Sequence, residues 1–137
     1  MQINNKVIIV TGGANGIGKA CAYKFLEKGA KVIIADIDEK TGKNTEKELG
    51  ENCYFVKTDI TNEIDVINLK DFIMSKYGKI DILINNAAKQ TENSFFDMTP
   101  SEFRSVIDTN LNGTFICSNL QIYSAIIPYT KTKNNLS

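Results

Sequence analysis

Histidine and tryptophan are missing from the 137 residues. Without histidine the chain has no Ser-His-Asp or Cys-His nucleophilic centre and no histidine-ligated metal. Acid–base chemistry near neutrality is left to a carboxylate, a lysine or a tyrosine with a displaced pKa. Cysteine is sparse: Cys21, Cys53 and Cys117 are odd in number, far apart and in no C-x-x-C pair. They read as reduced, mostly buried thiols rather than a disulfide framework or a zinc site, and no metal is expected. An excess of either charge is lacking as well, because sixteen basic and sixteen acidic residues cancel. No broad field draws the chain to nucleic acid or to an anionic membrane. Long apolar runs are absent; Val32–Ala35 is strand-length and far short of a membrane span. Met1–Asn5 has neither the charged head nor the apolar stretch of a signal peptide. Together these absences lead us to expect one cytoplasmic domain with neither nucleic acid nor membrane as partner.

What is present is an alternation of short apolar runs with longer amphipathic ones, the mark of βαβ units. Strands are expected over 6–10, 31–35, 54–56 and 80–84, and helices over 16–28, 39–49, 63–77 and from Pro100 past Phe115. Gly29, Gly50 and Gly78 stand where helices should stop. Val66, Leu69, Ile73 and Tyr77 recur at three- and four-residue steps, giving one buried stripe. Thr99-Pro100-Ser101-Glu102 reads as a capping box with proline at the first helical position. Four strands joined by right-handed crossovers lie in the order 3-2-1-4, a doubly wound, Rossmann-type α/β sheet with helices on both faces. A ligand site is expected at the C-terminal ends of strands one and four, where the winding reverses.

Five segments carry chemistry. Thr11-Gly12-Gly13-Ala14-Asn15-Gly16-Ile17-Gly18 follows the first strand directly. A strand that breaks into such a turn and opens a helix is suited to a diphosphate: glycine lets the backbone approach closely, and the helix start offers free N–H groups. The same glycines would also suit an ordinary tight turn. Asp36 ends the second strand, where a carboxylate can accept from the 2′- and 3′-hydroxyls of an adenosine ribose. A 2′-phosphate would meet like charge there, and neither Asn15 nor Ile37 supplies an offsetting cation, so NAD is favoured over NADP. Asp59-Ile60-Thr61 follows the third strand and reads equally as an adenine contact or as a strand-end cap. Asn85-Asn86-Ala87-Ala88 closes the fourth strand, with small residues suited to a ligand passing close by and amides suited to locking the backbone. Asn110 interrupts a helical stretch, marking either a kink with a bound water or a solvent-facing side chain.

Taken together, and in this order, these segments resemble the short-chain dehydrogenase/reductase family over residues 3–118. The resemblance makes Gly12, Asn15, Gly16, Ile17 and Gly18 the cofactor turn, Asp36 and Ile37 the ribose end, and Asp59 and Ile60 the adenine end. It makes Asn86, Ala87 and Ala88 the backbone that the cofactor passes, with Ala88 standing where the family has glycine. Asn110 is similar to the family's catalytic-helix asparagine, which holds a kink and a water in the proton relay. The activity implied is hydride transfer between NAD(H) and an alcohol or carbonyl substrate. A different nucleotide-binding α/β protein, such as a methyltransferase, fits the glycine turn but not the Asn-Asn-Ala segment.

The family's remaining machinery is a serine on a fifth strand and a Tyr-x-x-x-Lys pair on the next helix. Only 27 of the 137 residues follow Asn110. Tyr129 and Lys133 have the right spacing, but no apolar serine strand separates them from Asn110, and Pro128 breaks the helix before them. Tyr123-Ser124-Ala125 echoes the family's wording, yet Ile127 stands where lysine is required. The expectation is therefore a dinucleotide-binding domain over 1–118, truncated before its catalytic half, with 119–137 as a divergent tail. Such a chain either serves as the cofactor-binding part of an oxidoreductase or binds NAD silently, without turnover. An apolar edge at the fourth strand and a homo-oligomer through the helix containing Asn110 are also expected, with Phe103, Val106, Ile107 and Phe115 partly exposed.

Overall fold

The computed structural model describes residues 2–119. Four strands, β1 (Val7–Thr11), β2 (Lys31–Asp36), β3 (Cys53–Lys57) and β4 (Ile82–Ile84), alternate with helices α1 (Gly16–Glu27), α2 (Glu39–Leu49), α3 (Glu63–Tyr77) and α4 (Pro100–Ile107). All pairings are parallel, and the order is β3-β2-β1-β4 as expected from the sequence. Ile9 of β1 aligns with Ile33 of β2 and with Leu83 of β4.

Period-two alternation sends the strand side chains to two separate cores. Ile8, Val10, Val32 and Ile34 pack beneath α1 and α2 with Ala22, Phe25, Leu26 and Leu49. Val7, Ile9, Ile33 and Ala35 face the opposite way and meet Leu69, Ile73 and Tyr77 of α3. Because both faces are covered, β1 and β2 carry unbroken apolar runs rather than an alternating pattern. Each Ile or Val fully withdrawn from water contributes roughly 1.5–3 kcal/mol. β1 and β2 therefore form the anchored base from which the turn after Thr11 projects.

Local chemistry sets the helix ends. Asp38 and Asn62 accept from backbone N–H groups in the first turns of α2 and α3. Gly29, φ +78°, reverses the chain after α1 and donates its N–H to Leu26 O. Thr99 and Glu102 form the expected capping box reciprocally at the start of α4.

Most boundaries lie within a residue of the sequence reading, and two departures are larger. β4 begins at Ile82 rather than Ile80, because the Asp81 carboxylate takes the Val7 N–H at 2.8 Å. The last helix is not regular: after Ile107 the chain runs through a π-helical segment at Asp108–Gly113 before ordinary helical turns resume over 114–119. A π insertion adds a residue to the turn and displaces the local backbone. The interruption anticipated at Asn110 is this widened turn. The side chains of Ile60, Val66 and Cys117 hold this helix against the rest of the domain. No helix among the described residues is long and apolar enough to cross a membrane.

Candidate dinucleotide cleft

The strand order reverses between β1 and β4, and the chain leaves their C-terminal ends in different directions. A cleft of about 670 Å³ opens there, a size common for small-molecule and cofactor sites. Eleven of the sequence-identified residues line it: Gly12, Asn15, Gly16, Ile17, Asp36, Ile37, Asp59, Ile60, Asn86, Ala87 and Ala88. Segments separated by more than seventy residues in sequence thus converge on one wall.

The glycine turn is fixed from beneath. Gly12 has φ +63°, and a Cβ there would stand 2.9 Å from Ala87 Cα. Only a bare backbone lets the turn and the Asn-Asn-Ala segment lie so close. Asn86 secures that contact: its Nδ2 donates to Thr11 O at 3.0 Å and to Gly12 O at 3.1 Å. Thr11, almost wholly buried, completes the joint. Its hydroxyl donates to Ile84 O and accepts from the N–H groups of Asn86 and Ala87. The locking amides expected of the Asn-Asn pair are therefore those of Asn86. Asn85 turns away and reaches Ser118 Oγ at 3.1 Å.

Gly16 faces the cleft with φ +53°, and a Cβ there would meet nothing within 4 Å. The space beside it belongs to the cleft. Gly18 is buried and is not among the residues lining the cleft, and a Cβ there would strike Gly12 O and Asn86 Nδ2. Its missing side chain lets α1 seat against the turn.

Asp36 has two duties. Its Oδ2 accepts from Ala14 N–H at 3.1 Å and its Oδ1 from Asp38 N–H at 3.1 Å, yet the carboxylate still lines the cleft. An ionised carboxylate has about four lone-pair positions, so acceptor capacity remains for a pair of hydroxyls. Ile17 and Ile37 stand largely exposed on the same wall, apolar surface left for a flat or apolar group. Asp59 makes local turn bonds at the end of β3. Its Oδ1 accepts from Thr61 N–H at 2.9 Å and Thr61 Oγ1 at 2.7 Å, while the residue remains on the cleft wall.

Asn110 does not line the cleft. Its Oδ1 accepts from Lys89 N–H at 2.7 Å and its Nδ2 donates to Lys89 O at 3.0 Å, so the amide clamps the loop after β4 from both sides. Both polar ends of this exposed side chain are thus engaged by the Lys89 backbone. Thr114 Oγ1 bonds Asn110 O at 2.9 Å, adding a second local hold on the widened turn.

Sequence reasoning missed Lys89, Ser105, Asp108 and Thr109, which close the α4 side of the cleft. Lys89 Nζ donates to Ser105 Oγ at 2.6 Å. Among the described residues Lys89 is the one cation lining the cleft, against the three carboxylates of Asp36, Asp59 and Asp108. A diphosphate here depends chiefly on backbone N–H groups at the start of α1. The residues present fit a dinucleotide: a turn approachable at Gly16, a carboxylate at the end of β2, and a wall of small residues after β4. Among the described residues no group of three His, Cys, Asp or Glu is arranged to hold a metal.

Comparison with known proteins agrees with this geometry. A family model described as short chain dehydrogenase matches residues 6–129. An uncharacterized oxidoreductase of Thermotoga maritima is 44% identical over 120 residues, covering 85% of this chain and 47% of that protein. Zerumbone synthase of Zingiber zerumbet is 41% identical over 121 residues, covering 85% and 45%. The chain spans about half the length of the relatives it matches. Among solved structures, a 3-ketoacyl-(acyl-carrier-protein) reductase from Brucella melitensis complexed with NADH superposes with TM-score 0.82 at 31% identity, covering 92% of this chain and 50% of that one. A short chain dehydrogenase from Bacillus anthracis gives TM-score 0.86 at 35% identity, covering 93% and 54%. From its strand order, its glycine turn and these matches, this chain belongs to the short-chain dehydrogenase family of oxidoreductases.

Proposed function

We propose that the cleft binds NAD(H), and that the chain is the cofactor-binding part of an oxidoreductase acting between an alcohol and a carbonyl compound. The observation that carries this reading is the joint between the glycine turn and the Asn86–Ala88 segment, with Asp36 at the end of β2 facing the same space. The first supplies N–H groups for a diphosphate, and the second supplies acceptors for ribose hydroxyls. The NADH held by the Brucella neighbour supports a nicotinamide dinucleotide. The preference for NAD over NADP rests on Asp36, because a 2′-phosphate beside a carboxylate adds like charge. Gly12, Asn15, Gly16, Ile17, Asp36, Ile37, Asp59, Ile60, Asn86, Ala87 and Ala88 are the proposed contact residues. Gly18 acts by seating α1, and Asn110 acts through the Lys89 backbone.

When bound, the nicotinamide ring supplies or accepts the hydride. The chain's own described residues bind, orient and shield it. They include no tyrosine on the cleft wall to move the accompanying proton. Tyr123, Tyr129 and Lys133 lie outside the described residues. That makes a second reading specific: a chain that binds the dinucleotide without turnover. Following NADH absorbance with the purified chain and a panel of secondary alcohols separates the two. Turnover abolished by Tyr129→Phe would establish that tyrosine as the acid–base; binding with no turnover would establish the silent form. Self-association through the helix containing Asn110 is proposed on the exposure of Phe103, Leu111 and Phe115, and sedimentation across a concentration series tests it. The location we propose is the cytoplasm, and the domain boundary near residue 118.

A further inference from the structure

We infer that Thr45, on α2 and away from the cleft wall, is the residue that aims the Asn15 N–H at the diphosphate. The inference rests on the dinucleotide reading of the cleft. Thr45 is 2% exposed, on the inner face of α2 near Gly42, which lies against the Phe55 ring. Burying a hydroxyl in such a place is unfavourable unless it is hydrogen-bonded. Its Oγ1 donates to Ala14 O at 2.6 Å, thirty-one positions earlier in the chain. A valine would fill the same volume, so packing alone gives no reason for the hydroxyl.

The consequence follows from peptide planarity. Among the described residues there is no cis peptide bond, and in a trans peptide the C=O and the N–H of the next residue point in opposite directions. Holding Ala14 O back toward α2 therefore turns Asn15 N–H away from α2. Asn15 lines the cleft, and its N–H donates to none of the described residues. The same peptide chain is held one residue back by Asp36, which accepts from Ala14 N–H. Asn86 draws Thr11 O and Gly12 O to the other side. An anion-binding turn must withdraw its carbonyl oxygens as well as present its N–H groups, since a carbonyl facing a diphosphate repels it. Thr45 performs that withdrawal for Ala14 and is a positioning residue.

The test compares NADH and adenosine binding to the full chain carrying Thr45→Val or Thr45→Ser. Thr45→Val releases the Ala14–Asn15 peptide from its fixed orientation and should weaken NADH by about tenfold, the usual worth of one hydrogen bond to a charged group. Adenosine, which has no phosphate, should bind Thr45→Val as it binds the unmodified chain, and Thr45→Ser should restore NADH affinity. NADH binding unchanged in Thr45→Val overturns the inference, as does an equal loss for NADH and adenosine. Should Thr45→Val not fold, the Asn15 amide resonance of the unmodified chain decides: it should shift with NADH and stay in place with adenosine. An Asn15 amide indifferent to NADH overturns the proposal. Failure of the unmodified chain to bind NADH at all would remove the dinucleotide reading itself, a result distinct from a silent Thr45→Val.

Discussion

The two walls of the cleft are built to different standards. On one side β1 and β2 are buried on both faces, with Ile8, Val10, Val32, Ile33, Ile34 and Ala35 wholly or almost wholly withdrawn from solvent. On the other, β4 is three half-buried residues bonded on one edge to β1. The α4 helix beyond it has no fully buried residue, and Phe103, Leu111 and Phe115 lie open. The wall that would hold the adenosine and diphosphate is a finished core. The wall toward α4 is joined to it by one small apolar cluster, Ile60, Val66 and Cys117, and by polar contacts: Thr11 and Asn86 at the turn, Asn110 and Lys89 in the loop, Asp81 at the start of β4. Deep apolar burial sets the position of the first wall, and that small cluster with its hydrogen bonds carries the position across to the second.

Truncation of the core should break this contrast most strongly. Ile33→Ala on β2 should cost about 3–4 kcal/mol, whereas Leu83→Ala on half-buried β4 should cost about 1–2 kcal/mol, because a partly exposed site loses less transfer energy and leaves no closed cavity. Urea denaturation of both variants measures the difference. Equal losses would mean that β4 is as deeply held as β2.

Asp81 measures the polar seam between the walls. Burial opposes its ionisation, but hydrogen bonds from Lys79 and Val7 N–H, with the charges of Lys79 and Lys6, outweigh it and hold the carboxyl below the usual aspartate range. A carboxylate whose folded pKa is depressed stabilises the fold fully above its unfolded pKa. That contribution fades as pH falls below about 3.9 and is gone once pH drops through the folded value. Asp81→Asn should therefore lose about 1 kcal/mol at pH 7, allowing for partners that are themselves partly in solvent. The gap between variant and unmodified chain should close as the pH approaches the folded value. A gap independent of pH would assign the loss to geometry rather than charge.

The cysteines report the smallest effect and the finest detail. Burial, with the Glu46 charge adding to it, pushes the Cys53 thiol up to about 12, and burial pushes Cys117 up to about 11. Both should resist a thiol reagent at pH 8 in the folded chain, since the thiolate is the reactive form. Cys53 sits in the first core and should react only on global unfolding, whereas Cys117 is on the inner face of the helical turns over 114–119 and should react through local opening of that segment. Mass spectrometry of timed labelling should find Cys117 modified several times faster than Cys53, as a local opening costs less than a global one. The reverse order would invert the contrast between the walls.

The sequence disclosed the part of the molecule that is local or repetitive. Strand order followed from the alternation of apolar runs, and the glycine turn, Asp36 and Asn86 fell on one cleft as expected. What escaped was contact between distant segments. Nothing in the spacing of Asn110 points to Lys89, twenty-one positions earlier, and a π-helical turn leaves no periodic signature of its own. The motif does not disclose that a side chain at Gly18 would strike Gly12 O and Asn86 Nδ2 beneath α1. Asp59 offers two roles from sequence, and it both bonds Thr61 and stands on the cleft wall. Thr45 carried no signal at all, because a threonine inside an amphipathic helix reads as filler until its hydroxyl is seen on Ala14.

Titration calorimetry of the folded chain with NADH, repeated on Asp36→Ala, is the most direct measurement. We predict saturable heat at one site, and for Asp36→Ala a loss of about tenfold or more, since the variant gives up charged hydrogen bonds to the ribose and the tie to Ala14. No heat from folded protein, or an Asp36→Ala titration indistinguishable from the unmodified chain, would contradict the assignment of this cleft to an adenine dinucleotide.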